Sequence, residues 1–135
     1  MFEYDVKILL AFGKAIDGYK EYFEWLLNNG YPELAALANA IRGDEGAVQW
    51  LLKSKYPQYG VLSNAMDNET NAVQWLIDFK DEFLLQFAQA SRGNEDSIEW
   101  LRRKQLNIFI MLAEKINKIL KFQVKENTFW YKIKF

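Results

Sequence analysis

The sequence contains no cysteine and no histidine, and only two prolines in 135 residues. Without cysteine the chain forms no disulfide bond and no thiolate metal site, and it has no thiol nucleophile. Without histidine it lacks the commonest general base and the commonest transition-metal ligand. These two absences exclude most hydrolytic and redox mechanisms, so we expect neither an enzyme nor a bound cofactor or metal.

Long apolar runs and a basic N-terminus are missing as well. No apolar stretch approaches the roughly 20 residues that span a bilayer. Glu3 and Asp5 stand where a secretory signal would carry positive charge. We therefore expect a soluble, cytoplasmic protein that does not enter a membrane.

Tryptophan, in contrast, is present at a fixed interval. Trp25, Trp50, Trp75 and Trp100 lie 25 residues apart, and a leucine follows each of them. Half of the chain is apolar and 16% is aromatic, which is enough for a packed core. A recurring interval of this size is typical of a solenoid, in which one small unit is copied and stacked.

The interval divides a single domain, residues 1–135, into a partial unit, three full units, a capping unit and a tail. Their boundaries are 8–24, 25–49, 50–74, 75–99, 100–121 and 122–135. Each unit predicts a helix A, from about Pro32 to Arg42 in the first full unit, and a helix B that ends shortly after the Trp-Leu pair. Turn residues separate the two helices at one position per unit, namely Gly18, Gly43, Asn68 and Gly93.

Helices this short are unstable alone, so each unit must bury its apolar face against the next. The pattern therefore predicts an all-α fold, a short α-solenoid of helix-turn-helix repeats. We expect each indole to wedge between successive helix pairs, the alternative being an aromatic ladder that binds a ligand. An alanine column, broken only by Lys115, predicts where helices approach most closely; its members are Ala15, Ala40, Ala65 and Ala90.

The C-terminal end departs from the repeat. A closing helix is predicted from about Leu106 to Lys121, without a capping glycine. From Thr128 to Phe135, apolar residues alternate with others at the two-residue period of a β-strand. We expect this strand to strap back over the last helices or to pair with another chain.

The units resemble the helical part of ankyrin-type repeats over roughly residues 8–121. The residues from Gly43 to Leu52, Gly-Asp-Glu-Gly-Ala-Val-Gln-Trp-Leu-Leu, are similar to the glycine, polar start and Val-x-x-Leu-Leu of an ankyrin outer helix. The Thr-Pro-Leu-His tetrapeptide is absent, and a unit of 25 residues leaves no room for the ankyrin hairpin finger. The resemblance implies a protein-binding scaffold without catalysis.

One polar residue per unit interrupts the apolar face of helix A, at Lys14, Asn39, Asn64, Gln89 and Glu114. These side chains either face water, form a stacked amide ladder, or line a concave surface that binds a partner. Acidic pairs such as Asp44 and Glu45 are explained by helix capping rather than by carboxylate catalysis.

Charge is distributed unevenly along the chain. Residues 1–100 hold eight Lys/Arg and sixteen Asp/Glu, whereas residues 101–135 hold nine Lys/Arg and two Asp/Glu. We therefore expect a non-catalytic protein-protein interaction scaffold; the alternatives are nucleic-acid or other polyanion binding at the basic, aromatic end, and self-association of that end with the acidic body. The residues named for this end are Arg102, Arg103, Lys104, Trp130 and Lys132.

Overall fold

The computed structural model describes residues 1 and 3–133, with side chains described as far as residue 123. These residues form nine α-helices and no strand, so the all-α prediction is confirmed for this part of the chain. The helices are α1 Val6–Ile16, α2 Lys20–Asn28, α3 Pro32–Ile41, α4 Glu45–Lys53, α5 Pro57–Met66, α6 Thr70–Asp78, α7 Glu82–Ser91, α8 Glu95–Arg103 and α9 Asn107–Ile133.

The short connections follow the chemistry of the turn residues. Gly43, Asn68 and Gly93 end their helices with φ values of 105°, 60° and 92°, as the turn column predicts. The next helix is then capped by a side chain in two cases: Asp44 Oδ1 accepts from the Ala47 N–H, and Asn94 Oδ1 from the Ser97 N–H. Successive helices in contact through such short turns run antiparallel.

The odd-numbered helices form the inner layer of the molecule. Each packs on the next odd-numbered helix, and α9 also packs on α1, so all five contact two others. Four positions per odd-numbered helix are buried in all five helices; in α1 they are Leu9, Phe12, Gly13 and Ile16. At the second of these positions the residues are Phe12, Leu37, Leu62, Phe87 and Leu112, all fully buried.

Small residues allow the odd-numbered helices to approach closely. A Cβ added at Gly13 would lie 3.1 Å from Leu112 Cδ2, a tight contact that would require Leu112 to shift by a few tenths of an ångström. The equivalent residues in the other helices are small and buried as well: Ala38, Ser63, Ala88 and Ala113.

The tryptophans are not the core of the stack, and the prediction that each indole wedges between helix pairs is wrong for the first two. Trp25 and Trp50 are 42% and 49% exposed, and Trp75 and Trp100 are half-buried. The leucine after each tryptophan points inward instead, because neighbouring helical residues lie about 100° apart around the axis. Leu26, Leu51, Leu76 and Leu101 are all fully buried.

Hydrogen bonds link successive odd-numbered helices at the last carbonyls of α1, α5 and α7. Arg42 Nη1 donates to the Ile16 carbonyl and Arg92 Nη1 to the Met66 carbonyl, both at 2.9 Å. Asn117 Nδ2 donates to the Ser91 carbonyl at 3.0 Å in the same way. These bonds satisfy carbonyls that a helix end leaves without an intrahelical partner.

One copy of this link is different. Asp67 occupies the position equivalent to Arg42 and Arg92, but a carboxylate cannot donate to the Ile41 carbonyl. Gln123 Nε2 of α9 donates to that carbonyl instead, at 3.2 Å. The last helix therefore extends across the ends of helices far from it in sequence.

The predicted C-terminal strand, Thr128 to Phe135, is wrong over the described residues. The backbone is helical through Ile133, and residues 134–135 lie outside the described part of the chain. No glycine or proline interrupts Asn107–Ile133, so nothing stops the helix at Lys121, its predicted end. Among the described residues, no helix is both long enough and apolar enough to cross a membrane.

Candidate functional site

A groove of about 710 Å³ lies between α1, α2 and α9. Its floor and one wall are apolar or aromatic, formed by Leu10, Ala11, Met111, Tyr22 and Trp25. This volume falls in the range of about 300–1,000 Å³ that is usual for ligand sites. We regard this groove as the candidate functional site.

The wall of the groove holds large apolar side chains that remain in contact with water. Leu10 is 47% exposed and Tyr22 is 38% exposed. Trp25 stacks on the ring of Tyr31, with centroids 6.3 Å apart and planes 10° from parallel. The stacking holds the indole in place beside the groove, so the wall is formed before any partner binds.

Three lysines surround the apolar floor: Lys7 and Lys14 from α1, and Lys115 from α9. Lys115 forms an ion pair with Asp17 at the C-terminal end of α1, which joins α9 to α1. Lys14 Nζ lies 5.2 Å from the centroid of the Tyr19 ring, a cation–π contact. Among the described residues, neither Lys7 nor Lys14 has a carboxylate partner.

The single acidic residue among the described lining residues is Glu21 of α2. The groove therefore carries more positive than negative charge around an apolar floor. Such a combination suits an anionic ligand with an apolar face, because the lysines attract the charge and the floor accepts the apolar side.

A separate polar cluster lies at the N-terminal ends of α1, α3 and α5. Glu33 is only 4% exposed, and the Tyr4 hydroxyl donates to its Oε1 at 2.8 Å. The Tyr59 hydroxyl donates in turn to the Tyr4 oxygen at 3.3 Å. Burial raises the pKa of Tyr4 well above its ordinary value and that of Tyr59 to about 12.

The chain of donors in this cluster gives the Glu33 carboxylate the hydrogen bond that a buried charge requires. Glu33 and Tyr59 are buried and Tyr4 is half-buried, and none of them lines the groove. The arrangement joins the segment before α1 to α3 and α5. Within the described residues, no group of three or more Asp and Glu side chains is placed to hold a metal ion.

The structure disperses the residues that the sequence predicted as partner-binding. The predicted amides occupy equivalent positions on α3, α5 and α7, where all are half-buried; Asn39, Asn64 and Gln89 form this set. Among the described residues, no hydrogen bond joins these side chains, so an amide ladder is not present. Asn39 borders a separate small cavity of about 180 Å³.

The predicted basic residues are exposed at the C-terminal end of α8. Arg102 pairs with Glu99, and Lys104 Nζ lies 5.6 Å from the centroid of the Trp100 ring. Arg103 is exposed beside them. Trp130 and Lys132 belong to the helical backbone of α9, but their side chains lie outside those described.

Sequence reasoning missed the groove, although two signals pointed to it. Lys115 is the residue that breaks the alanine column, and Lys14 stands where later units carry an amide. Both lysines lie beside the groove. Recognising this required the contact between α1 and α9, which no period in the sequence predicts.

In comparisons with known proteins, no protein-family model, curated protein or solved structure matches the chain. The resemblance to ankyrin-type repeats therefore stays a prediction. Function has to be argued from the groove itself.

Proposed function

We propose that the protein is a non-catalytic protein-protein interaction scaffold of the helical-repeat type, a short solenoid whose partner binds in the groove between α1, α2 and α9. The observation that carries the proposal is the exposure of Leu10 and Tyr22 in a concave site of about 710 Å³. An exposed apolar concavity with a polar rim is typical of a surface that another molecule covers.

Charge supports a protein partner over a neutral small molecule. Lys7 and Lys14 are exposed at the edge of the apolar floor, where they would accelerate association with an acidic surface. The hydrogen bond from Tyr4 supports a structural role for Glu33, the only deeply buried carboxylate among the described residues.

Affinity purification from the native source tests the proposal. The wild-type chain, Leu10→Asp and Leu27→Asp serve as three baits. Leu27 is the matched control, because it is 45% exposed on α2 but does not line the groove. We expect a partner that the wild type and Leu27→Asp retain and that Leu10→Asp loses. Equal recovery with all three baits would contradict a function at the groove.

The polyanion alternative rests on the exposed cations of α8, and Arg102 and Lys104 are already engaged by Glu99 and Trp100. If it holds, random oligonucleotides will bind with strong salt dependence, and charge reversal at Arg103 will weaken that binding while Leu10→Asp leaves it unchanged. Binding insensitive to salt would contradict this alternative.

A further inference from the structure

The even-numbered helices follow one packing rule. Each lies against two successive odd-numbered helices: α2 against α1 and α3, α4 against α3 and α5, α6 against α5 and α7, and α8 against α7 and α9. The odd-numbered helices α9 and α1 are also in contact. Within the described residues, this fifth pair has no even-numbered helix lying against it.

The residues equivalent to Leu10 in later helices show the effect of an even-numbered helix that covers this position. Its equivalents Ala35 and Gly60 are buried, and Leu85 is half-buried. A Cβ added at Gly60 would lie only 2.8 Å from Leu52 Cδ2 of α4, the even-numbered helix that precedes it. This position therefore faces the preceding even-numbered helix, whereas among the described residues no such helix lies against Leu10, which is exposed.

Tyr22 of α2 also differs from its equivalents in later units. The equivalent residues of later units are small, with Ala72 and Ser97 buried and Ala47 half-buried. In the first unit the position carries a large aromatic side chain that lines the groove. The groove is thus the place of a fifth even-numbered helix, bordered by residues suited to contact one.

We infer that the groove binds an acidic amphipathic helix of a partner protein, which takes the place of a fifth even-numbered helix between α9 and α1. This inference rests on the proposed scaffold function and names the class of partner. It is a helix-in-groove mode of recognition, in which the apolar face of a helix provides the anchors.

The four even-numbered helices define the residues that such a helix needs. Each is nine residues long, or about 13 Å at a rise of 1.5 Å per residue. In α6 the inward face consists of Ala72, Val73 and Leu76, of which Leu76 is fully buried. The partner should therefore present a small residue, then Val or Ile, then Leu three positions later.

The lysines set the direction and charge of the partner. A fifth even-numbered helix would run antiparallel to α1, so its N-terminus would lie near Lys14 and Lys115 and its C-terminus near Lys7. Acidic residues at both ends would then meet a lysine, and an acid in the first turn also suits the helix dipole. The helix α6 has this pattern, with Glu69 before its first residue and Asp78 as its last.

A peptide with the sequence from Glu69 to Asp78 is the probe. A hydrocarbon staple between the exposed positions of Thr70 and Gln74 keeps it helical, and a fluorophore at its N-terminus reports binding by anisotropy. We expect saturable binding to the full chain. Changing Leu76→Ala in the peptide should weaken binding at least about tenfold, because it removes the central anchor.

Variants of the protein identify the groove as the site. Leu10→Asp should weaken binding of the peptide at least about tenfold, whereas Leu27→Asp, equally exposed outside the groove, should leave it unchanged. Circular dichroism checks that both variants remain helical. A peptide with lysine in place of Glu69 and Asp78 should bind several-fold more weakly, and the difference should shrink at high salt.

Three outcomes overturn the inference. The first is that the stapled peptide shows no saturable binding, and the second is that Leu10→Asp and the wild type bind it equally. The third is a dimer in light scattering that Leu10→Asp converts to a monomer, because the occupant of the groove would then be a second copy of this chain. If the peptide fails but a native partner is still lost with Leu10→Asp, the scaffold function stands and the helix class is wrong. If no partner depends on Leu10, the proposed function fails by itself.

Discussion

The repeated Trp-Leu dipeptide places its two residues on the inner and outer faces of each even-numbered helix, one buried and one in contact with water. Leu51 is fully buried, whereas the neighbouring Trp50 is 49% exposed. Trp25, similarly exposed, contributes to the wall of the groove. The residue that makes the repeat visible in the sequence is thus not the one that carries most of the packing.

The largest expected effect compares these two residues directly. Leu51→Ala should lower the free energy of unfolding by about 2–5 kcal/mol, because it opens a cavity where α4 packs on the inner layer. Trp50→Ala should lower it by only about 1 kcal/mol, since half of the indole already contacts water. Urea denaturation of both variants measures the difference. Equal losses would contradict the assignment of leucine to the inside and tryptophan to the outside.

The buried polar cluster extends the comparison to the ends of the inner helices. Tyr4→Phe removes the donor to Glu33 and should cost about 1–3 kcal/mol, because a buried carboxylate is left without that hydrogen bond. The matched control is Tyr22→Phe, a loss of hydroxyl on an exposed residue, which should have little effect. Chemical denaturation at neutral pH compares the two. If Tyr4→Phe left the free energy of unfolding unchanged, Glu33 would have another hydrogen-bond donor.

Alkaline pH should destabilise the inner cluster while leaving the outer face unaffected. The pKa of Tyr59 is raised by burial to about 12, and that of Tyr4 is raised too, whereas an unfolded tyrosine titrates at about 10. The stabilisation that the two protonated hydroxyls contribute is therefore complete below pH 10, and it is lost as the pH rises towards 12. Denaturation midpoints at pH 8 and pH 11 should differ less in Tyr59→Phe than in the wild type. An unchanged difference would contradict the burial of this hydroxyl.

The smallest effects concern the links at the helix ends. Arg92→Met should cost about 1 kcal/mol, since the Met66 carbonyl loses its donor. Asp67→Asn should change stability by no more than about 0.5 kcal/mol and in the stabilising direction, because partial desolvation raises the pKa of Asp67 despite the charge of Arg92, and the exposure of the side chain keeps the effect small. Thermal unfolding at pH 7 compares the stabilities of the two variants. A clear loss for Asp67→Asn would mean that its attraction to Arg92 outweighs its desolvation.

The sequence predicted local features well where a short-range rule applies. The two helices per unit, the start at Pro32 and the turn residues Gly43, Asn68 and Gly93 were all confirmed. It was wrong where two local patterns compete. From Thr128 to Ile133 an alternating pattern suggested a strand, but the uninterrupted helix that begins at Asn107 continues through it.

The candidate site was not predictable from the sequence because it is formed by distant segments. Lys115 and Asp17 pair across 98 residues, and Gly13 packs on Leu112. A repeat of 25 residues specifies how each unit meets the next, but it does not specify that the last helix meets the first. Whether the predicted amide column can bind a partner depends on how far its side chains are exposed. The 25-residue period does not specify that exposure.

By itself, the sequence determined the repeated helix pair, its turns and its apolar positions, because helical periodicity and left-handed turn residues act over a few residues. Only the tertiary structure decided that Leu51 rather than Trp50 faces inward, and that α9 packs on α1. That contact leaves one pair of inner helices without an outer helix among the described residues. The groove follows from how distant helices pack together, because no single unit specifies that contact.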